Sequence, residues 1–123
     1  MFKKTDFFDE NRKLTKSDVS EISEWIKKND VNKTLFSDNH TLLWHAVRDG
    51  ALEVVDFLVK HGADISLCGE YKTLIEVASI YGNLNVIKYF LDNGFDRETF
   101  FKDDSLIYAA EGNFVGIIKY LVE

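Results

Sequence analysis

The chain has 123 residues, of which 46 % are hydrophobic, so it is long and apolar enough for one domain with a core and wholesale disorder is excluded. The net charge of −6 argues against a nucleic-acid binder, and no apolar run approaches the ~18 residues of a membrane helix. The first residues lack the apolar segment of a secretory signal. A single cysteine, Cys68, excludes an internal disulfide and favours a cytoplasmic location.

An apolar triplet at a spacing of three and four residues marks one helix face, and it occurs four times along the chain. The four triplets are Ile22, Trp25 and Ile26; Val54, Phe57 and Leu58; Val86, Tyr89 and Phe90; Ile117, Tyr120 and Leu121. They follow one another at offsets of 32, 32 and 31 residues. A fixed period between about 20 and 50 residues is typical of a stacked repeat array.

Each repeating unit is predicted to hold two helices joined by a tight turn. The first helix starts at a residue whose side chain can accept a hydrogen bond from an orphan N–H group, namely Thr41, Thr73 or Asp104. A small residue recurs in the middle of that helix, at Ala46, Ala78 and Ala109. Residues that tolerate positive φ mark the turn between the helices (Gly50, Gly82 and Asn113) and the end of the second helix (Gly62 and Gly94). The predicted units are 1–38, a degenerate N-terminal cap; 39–70 and 71–102, two repeats; and 103–123, an incomplete C-terminal repeat.

The segment "HTLLWHAVRDGALEVVDFLVKHGADIS" resembles an ankyrin repeat, whose signature is T-P-L-H-x-A. The signature is written here as "TLLWHA", "TLIEVA" and "DSLIYA". Leu42, Leu74 and Ser105 replace the usual proline, and Trp44, Glu76 and Ile107 replace the usual histidine. The resemblance implies an all-α fold, an ankyrin-repeat solenoid of stacked antiparallel helix pairs with short hairpin-like turns.

The resemblance also implies a non-catalytic module that binds a protein partner on its concave face. Transferred position by position, the contact residues are His40, Arg48, Asp49, Glu70, Lys72, Ile80, Tyr81, Phe100, Phe101, Asp103 and Glu111. Ile80, Tyr81, Phe100 and Phe101 would form an apolar centre with an acidic rim, which suits a partner with a basic surface. Two alternatives stay open: the two phenylalanines fold inward, or the acidic residues form an ordinary solvated face.

Catalytic, metal and cofactor sites are not predicted. The strong zinc ligands are His40, His45, His61 and Cys68, and no two of them have the spacing of a zinc motif. Nothing marks Cys68 as an activated nucleophile, and the glycines fall at repeat turns rather than in a phosphate loop. Two roles remain: a general interaction module, or a dedicated inhibitor such as a bacterial immunity protein that neutralises a basic toxin.

The last helix of the sequence, "IIKYLVE", is predicted to expose Ile118, Leu121 and Val122, because no polar capping helix follows. Such a face would be adhesive. It could pair weakly with a second copy, meet the partner, or mark a lost further repeat.

Overall fold

The computed structural model describes residues 12–34, 40–67, 73–93 and 104–122. Within these ranges the protein is all-helical, as predicted, and contains no strand. After a 3₁₀ turn at Lys16–Asp18, the helices are α1 (Val19–Ile26), α2 (Leu42–Asp49), α3 (Leu52–Lys60), α4 (Leu74–Ile80), α5 (Leu84–Asp92), α6 (Ser105–Glu111) and α7 (Val115–Val122). The three pairs α2–α3, α4–α5 and α6–α7 repeat with the predicted offsets.

Two of the three predicted helix caps form. The hydroxyl of Thr41 accepts from the backbone N–H of Trp44 at 3.2 Å, and the hydroxyl of Thr73 accepts from that of Glu76 at 3.1 Å. The prediction for Asp104 is wrong, because its side chain makes no capping hydrogen bond. Instead its backbone N–H donates to the carboxylate of Glu76, 2.5 Å away. The start of α6, the first helix of the third pair, is therefore held by the preceding pair.

The turn between the two helices has the same backbone conformation in all three pairs. Gly50, Gly82 and Asn113 have φ of 70°, 77° and 57°, which confirms the predicted left-handed residues. One residue later, a backbone N–H returns to the carbonyl of the mid-helix alanine, at 3.0 Å for Ala46, 2.8 Å for Ala78 and 2.9 Å for Ala109. This is the Schellman bond that closes a helix at a left-handed residue. All three alanines are fully buried, so the same closure brings the paired helices together.

The pairs stack in chain order. The first helices form one row, in which α2 contacts α4 and α4 contacts α6, and α3 contacts both α1 and α5 in the second row. The core runs along the array between the rows and consists mostly of leucine, isoleucine, valine and alanine. The middle members of the four triplets are only half-buried and pack against the edge of the core, namely Trp25, Phe57, Tyr89 and Tyr120, whereas the aromatic Phe90 is buried in it.

The N-terminal unit is a single helix preceded by a turn, not a helix pair, within residues 12–34. Leu14 is buried, and its backbone N–H donates to the carboxylate of Asp49 at 2.8 Å. Ile22 is buried against the core. At the other end of this unit, the side-chain oxygen of Asn32 accepts from the backbone N–H of Asp64 at 2.7 Å. The shortened unit is thus fastened to the first full pair at both ends.

Candidate functional site

Equivalent positions at the ends of the first helices line one surface of the array. Arg48 of α2, Ile80 of α4 and Glu111 of α6 are equivalent, since they lie at the repeat offsets. Ile80 is half-buried and Glu111 is exposed. Next to Ile80, Tyr81 is 47 % exposed, which is high for a large aromatic side chain. These are the positions at which the sequence predicted partner contacts, and the structure brings them onto one face.

Three rings from two adjacent units meet on this face, and we call His40, Trp44 and Tyr81 the aromatic patch. The ring of His40 stacks on Trp44, with centroids 3.7 Å apart and planes 18° apart. Tyr81 approaches the same indole edge-on, at 6.4 Å and 82°. Trp44 itself is buried, so it forms the base on which the other two rings rest.

Arg48 extends the aromatic patch with a cation. Its guanidinium carbon lies 5.9 Å from the centroid of the Trp44 ring, within the range of a cation–π contact. Its Nε donates to the carboxylate of Asp49 at 2.7 Å. Two contacts, with Trp44 and with Asp49, therefore restrain the guanidinium before any partner arrives.

Asp49 has mainly an internal role. Its side chain is 3 % exposed, and its two oxygens accept from Arg48 and from the backbone of Leu14. It fastens the N-terminal segment to α2 and orients Arg48, which leaves a partner little access to it.

Five predicted contact residues lie outside the described residues. They are Glu70, Lys72, Phe100, Phe101 and Asp103. The two phenylalanines of the predicted apolar centre and part of its acidic rim therefore stay predictions.

Sequence reasoning missed Trp44 as a site residue. It was noted only as a replacement for the family's histidine. The signal that could have found it is its spacing, because Trp44 lies four residues before Arg48 on α2, so the two side chains share one face of that helix.

Groups that could bind metal do not converge in the described ranges. The rings of His40 and His45 are 6.1 Å apart between centroids, and His45 is buried. No three histidine, cysteine, aspartate or glutamate side chains come together there in an arrangement that could hold an ion. The longest described helices have nine residues, and none of the described helices could cross a bilayer.

A cavity of about 440 Å³ lies on the other side of the array, between α1 and the end of α3. Two polar residues of its lining already form hydrogen-bond contacts within the protein. The amide of Asn29 donates to the carbonyl of Trp25 at 2.9 Å, and Nδ1 of His61 lies 2.8 Å from the carbonyl oxygen of Phe57. These two polar groups are therefore not free to orient a small ligand in the cavity.

These features define a class of protein, an α-helical repeat array that displays side chains from successive first helices on a common face. Residues 42–91 match the sequence profile of a known family, described as ankyrin repeats in many copies. This stretch therefore matches the ankyrin-repeat family, as the sequence predicted. Ankyrin repeats in general are protein–protein interaction modules and are typically non-catalytic.

Two curated proteins illustrate the similarity. A segment of 54 residues, 44 % of this chain, is 39 % identical to a Caenorhabditis elegans homolog of transient receptor potential cation channel subfamily A member 1. A segment of 39 residues, 32 % of this chain, is 51 % identical to an ankyrin repeat protein of Acanthamoeba polyphaga mimivirus. The matches span only 4 % and 28 % of the length of these two relatives.

Proposed function

We propose that this chain is a non-catalytic ankyrin-repeat module that binds a protein partner on the face formed by α2, α4 and α6. The observation that carries the proposal is the exposed ring of Tyr81 resting against the fixed ring of Trp44 from the neighbouring unit. Tyrosine, tryptophan and arginine are the residues most enriched among interface hot spots. Here Tyr81 and Arg48 both contact the buried ring of Trp44 on the proposed face.

The aromatic patch is organised in advance for binding. Trp44 contacts both the stacked ring of His40 and the guanidinium of Arg48, and Arg48 is held by Asp49. Side chains that are already immobilised lose little rotamer entropy on association, where each mobile long side chain costs about 0.5–1.5 kcal/mol. The binding free energy that Tyr81 contributes would therefore not be reduced by an entropic cost of ordering its neighbours.

The partner we propose has a basic surface. The chain carries 21 acidic against 15 basic residues. On the binding face, Arg48 is paired with Asp49, whereas Glu111 is exposed and makes no ion pair with the described residues. Charge complementarity of this kind chiefly raises the association rate. We accordingly expect association with the partner to slow as ionic strength rises.

The wider setting belongs to the same proposal. We place a single ankyrin-repeat domain over residues 1–123, in the cytoplasm, with no cofactor and with neither nucleic acid nor membrane as a partner. An immunity protein that neutralises a basic toxin would be a special case of this module. Its support is the acidic charge alone, so we propose the broader role.

The experiment is affinity capture from the native cells, followed by measurement of the captured partner's Kd. Replacing both Ile80 and Tyr81 with Ala should weaken binding by about 2 kcal/mol or more, roughly 30-fold. Tyr81→Ala alone is the cleaner variant, because Ile80 is half-buried and its loss also disturbs packing. The matched control is Val122→Ala, which removes an exposed apolar side chain from the last helix.

The thermal midpoint should barely change in Tyr81→Ala, since nearly half of the side chain is already in water. Unchanged affinity in this variant, together with a steep loss of stability, would make Tyr81 a packing residue and refute the proposed face.

A further inference from the structure

The carboxylate of Asp49 connects the N-terminal segment, residues 12–18, to the aromatic patch. One of its oxygens accepts from the backbone N–H of Leu14 at 2.8 Å, and the other accepts from Nε of Arg48 at 2.7 Å. The Asp49 side chain is buried, so water hardly competes for either hydrogen bond. Hydrogen bonds to an ionised carboxylate are also stronger than those between neutral groups. Asp49 therefore joins the positions of two groups that belong to different units.

The N-terminal segment is itself firmly held, so it can serve as an anchor. The side chain of Leu14 is buried in the core. The next residue, Thr15, donates its backbone N–H to the buried carboxylate of Asp18 at 2.9 Å, and the guanidinium of Arg12 pairs with the same carboxylate at 2.8 Å. The 3₁₀ turn that ends the segment contacts α3. The N–H of Leu14 thus has a fixed position from which it holds Asp49.

The pairing of Arg48 with Asp49 depends on this anchor. Adjacent residues of a helix do not face each other, so Arg48 reaches Asp49 only in a particular side-chain conformation. Asp49 is also the last residue of α2. A carboxylate at this place lies near the partial negative charge of the helix end and needs donors to offset the repulsion. The N–H of Leu14 supplies one such donor, from outside the helix.

Arg48 matters to the aromatic patch because its guanidinium lies against the ring of Trp44, at a cation–π distance of 5.9 Å. Without the N–H of Leu14, the carboxylate of Asp49 would turn towards water to find a donor. The ion pair would then become an exposed one, and exposed ion pairs contribute little to holding a long side chain in place. Arg48 would exchange among several rotamers instead of resting on Trp44.

We propose that Leu14 is a positioning residue of the aromatic patch. Its N–H holds Asp49, Asp49 holds Arg48, and the N-terminal segment in this way sets the affinity of the patch for a protein partner. This role rests on the proposed function of the face and requires no contact between Leu14 and the partner. An ordered Arg48 keeps the affinity high, because a mobile arginine would have to be ordered on binding.

Coupling between two sites acts in both directions. A partner that binds Arg48 in its ordered position should therefore strengthen the hydrogen bond between Leu14 and Asp49. Hydrogen exchange of the Leu14 amide should slow when the partner is bound. The partner and the N-terminal segment would then stabilise each other through the protein.

A direct contact between Asp49 and the partner predicts the opposite sign. Asp49 stands at a position where the sequence predicted a contact, and an uncovered carboxylate would attract a basic partner. The N-terminal segment would then mask this carboxylate, so that loosening the segment tightens binding. The burial of Asp49, whose side chain is 3 % exposed, favours the positioning role.

Nuclear magnetic resonance of the 15N-labelled 123-residue chain tests the contacts without any partner. Leu14→Pro removes the N–H and keeps an apolar side chain at this position. Exchange of the Arg48 Nε–H proton with water should become at least about tenfold faster. Asp49→Asn should act in the same way and should also speed exchange of the Leu14 amide, because the amide has one oxygen where the carboxylate uses two. This variant contains no proline, so it tests the contacts even if Leu14→Pro unfolds the segment.

The matched control is Lys13→Pro, which places the same residue one position earlier in the segment. Lys13 is exposed, and its N–H has no acceptor among the described residues. The control should leave exchange of the Arg48 Nε–H proton unchanged, and unshifted amide signals of α4 and α5 show that each variant keeps the array folded. An equal effect of Lys13→Pro, or an Arg48 signal that neither Leu14→Pro nor Asp49→Asn changes, would overturn the proposal.

Binding of the captured partner gives the second measurement. Leu14→Pro should raise its Kd about fivefold, which is the order of the cost of immobilising one long side chain, and Lys13→Pro should leave the Kd unchanged. A Kd that stays the same or falls in Leu14→Pro would reject the positioning role. Tyr81→Ala tests the face separately, since it leaves Leu14, Asp49 and Arg48 in the chain. Weaker binding in Tyr81→Ala with no effect of Leu14→Pro would keep the face and reject the role of Leu14.

Discussion

Asn83 closes the end of α2 from the neighbouring unit. Its side-chain amide donates to the carbonyl oxygen of Val47 at 2.8 Å and to that of Arg48 at 2.7 Å. The last carbonyls of a helix have no partner within the helix, so they need a donor from elsewhere. A single side chain therefore satisfies the end of one helix and joins two units.

Asn83→Ala should lower the free energy of unfolding by about 1–3 kcal/mol, because two partly buried carbonyls lose their donor. Asn93→Ala is the matched control. The amide of Asn93 also donates to a carbonyl, that of Tyr89 at 2.8 Å, but within its own exposed helix end. Urea denaturation of both variants compares the two costs. Equal losses would show that the contact between units contributes nothing beyond an ordinary helix-end bond.

Gly82 serves two purposes, and a substitution should reveal both. Its φ of 77° strains any other residue, and a Cβ there would lie 2.6 Å from the ring of Phe114 in the next pair. Gly62 has a φ of 92°, but a Cβ there would meet open space. Gly62→Ala should therefore cost only the backbone strain, about 1–2 kcal/mol, and Gly82→Ala distinctly more.

A double-mutant cycle separates the two terms at Gly82. In a Phe114→Ala background the ring is gone, so the cost of Gly82→Ala should fall towards that of Gly62→Ala. If the cost at Gly82 is the same with and without the ring, the crowding has no energetic weight.

The fold could be predicted because the residues that repeat along the sequence are ones that the local backbone conformation requires. The left-handed turn at Gly50 needs a residue that tolerates positive φ, and the helix start at Thr41 needs a hydroxyl acceptor. Both requirements depend only on a few neighbouring backbone atoms, so the residue type at each position indicates them. Repetition at offsets of 32 and 31 residues then gives the order of the units.

Contacts between units could not be predicted in the same way. Asp104 has the residue type of a cap, yet the start of its helix is satisfied by Glu76 from 28 residues earlier. The aromatic patch similarly depends on how His40 stacks on Trp44, which is a choice of side-chain rotamers. The prediction that Leu121 would be exposed was also wrong, because Leu121 is buried. Here the sequence could have given the right answer, since the alignment of Leu121 with Leu58 and Phe90 already indicated an inward side chain.

The hydroxyl of Tyr89 links α5 to α3 and should make the fold sensitive to alkali. It donates to the carboxylate of Asp56 at 2.9 Å, and burial followed by this carboxylate raises the pKa of Tyr89 to about 12. In the unfolded chain tyrosine titrates near pH ~10. A raised pKa contributes stability that is complete below the unfolded value and is lost as pH rises from about 10 to about 12. Tyr89→Phe should therefore flatten the fall of unfolding free energy over this window.

Asp56, the acceptor in the same hydrogen bond, affects the stability of the fold at low pH. Hydrogen bonds from Lys60 and then from Tyr89 hold the pKa of Asp56 below its usual value. Its contribution is present above that usual value and is lost as pH falls through the lowered pKa. Asp56→Asn should bring the phenolate absorbance of Tyr89 to a lower pH, since the negative charge is removed. If the phenolate absorbance of Tyr89 appeared at the same pH in this variant, the raised pKa of Tyr89 would be due to burial alone.

Glu76 is buried between the second and third pairs, and the last helix pair should depend on it. Its carboxylate accepts from the backbone N–H of Asp104, so Glu76→Ala leaves that donor unsatisfied and opens a cavity beside α6. We expect a loss of about 1–3 kcal/mol. Glu76→Gln keeps a carbonyl oxygen as acceptor and should cost less, and the exposed Glu111→Ala should cost almost nothing. Native-state hydrogen exchange localises the effect, because amides of α6 and α7 should exchange faster while those of α2 and α3 change little. Uniform acceleration across all helices would mean that the array opens only as a whole, and that Glu76 does not specifically hold its last pair.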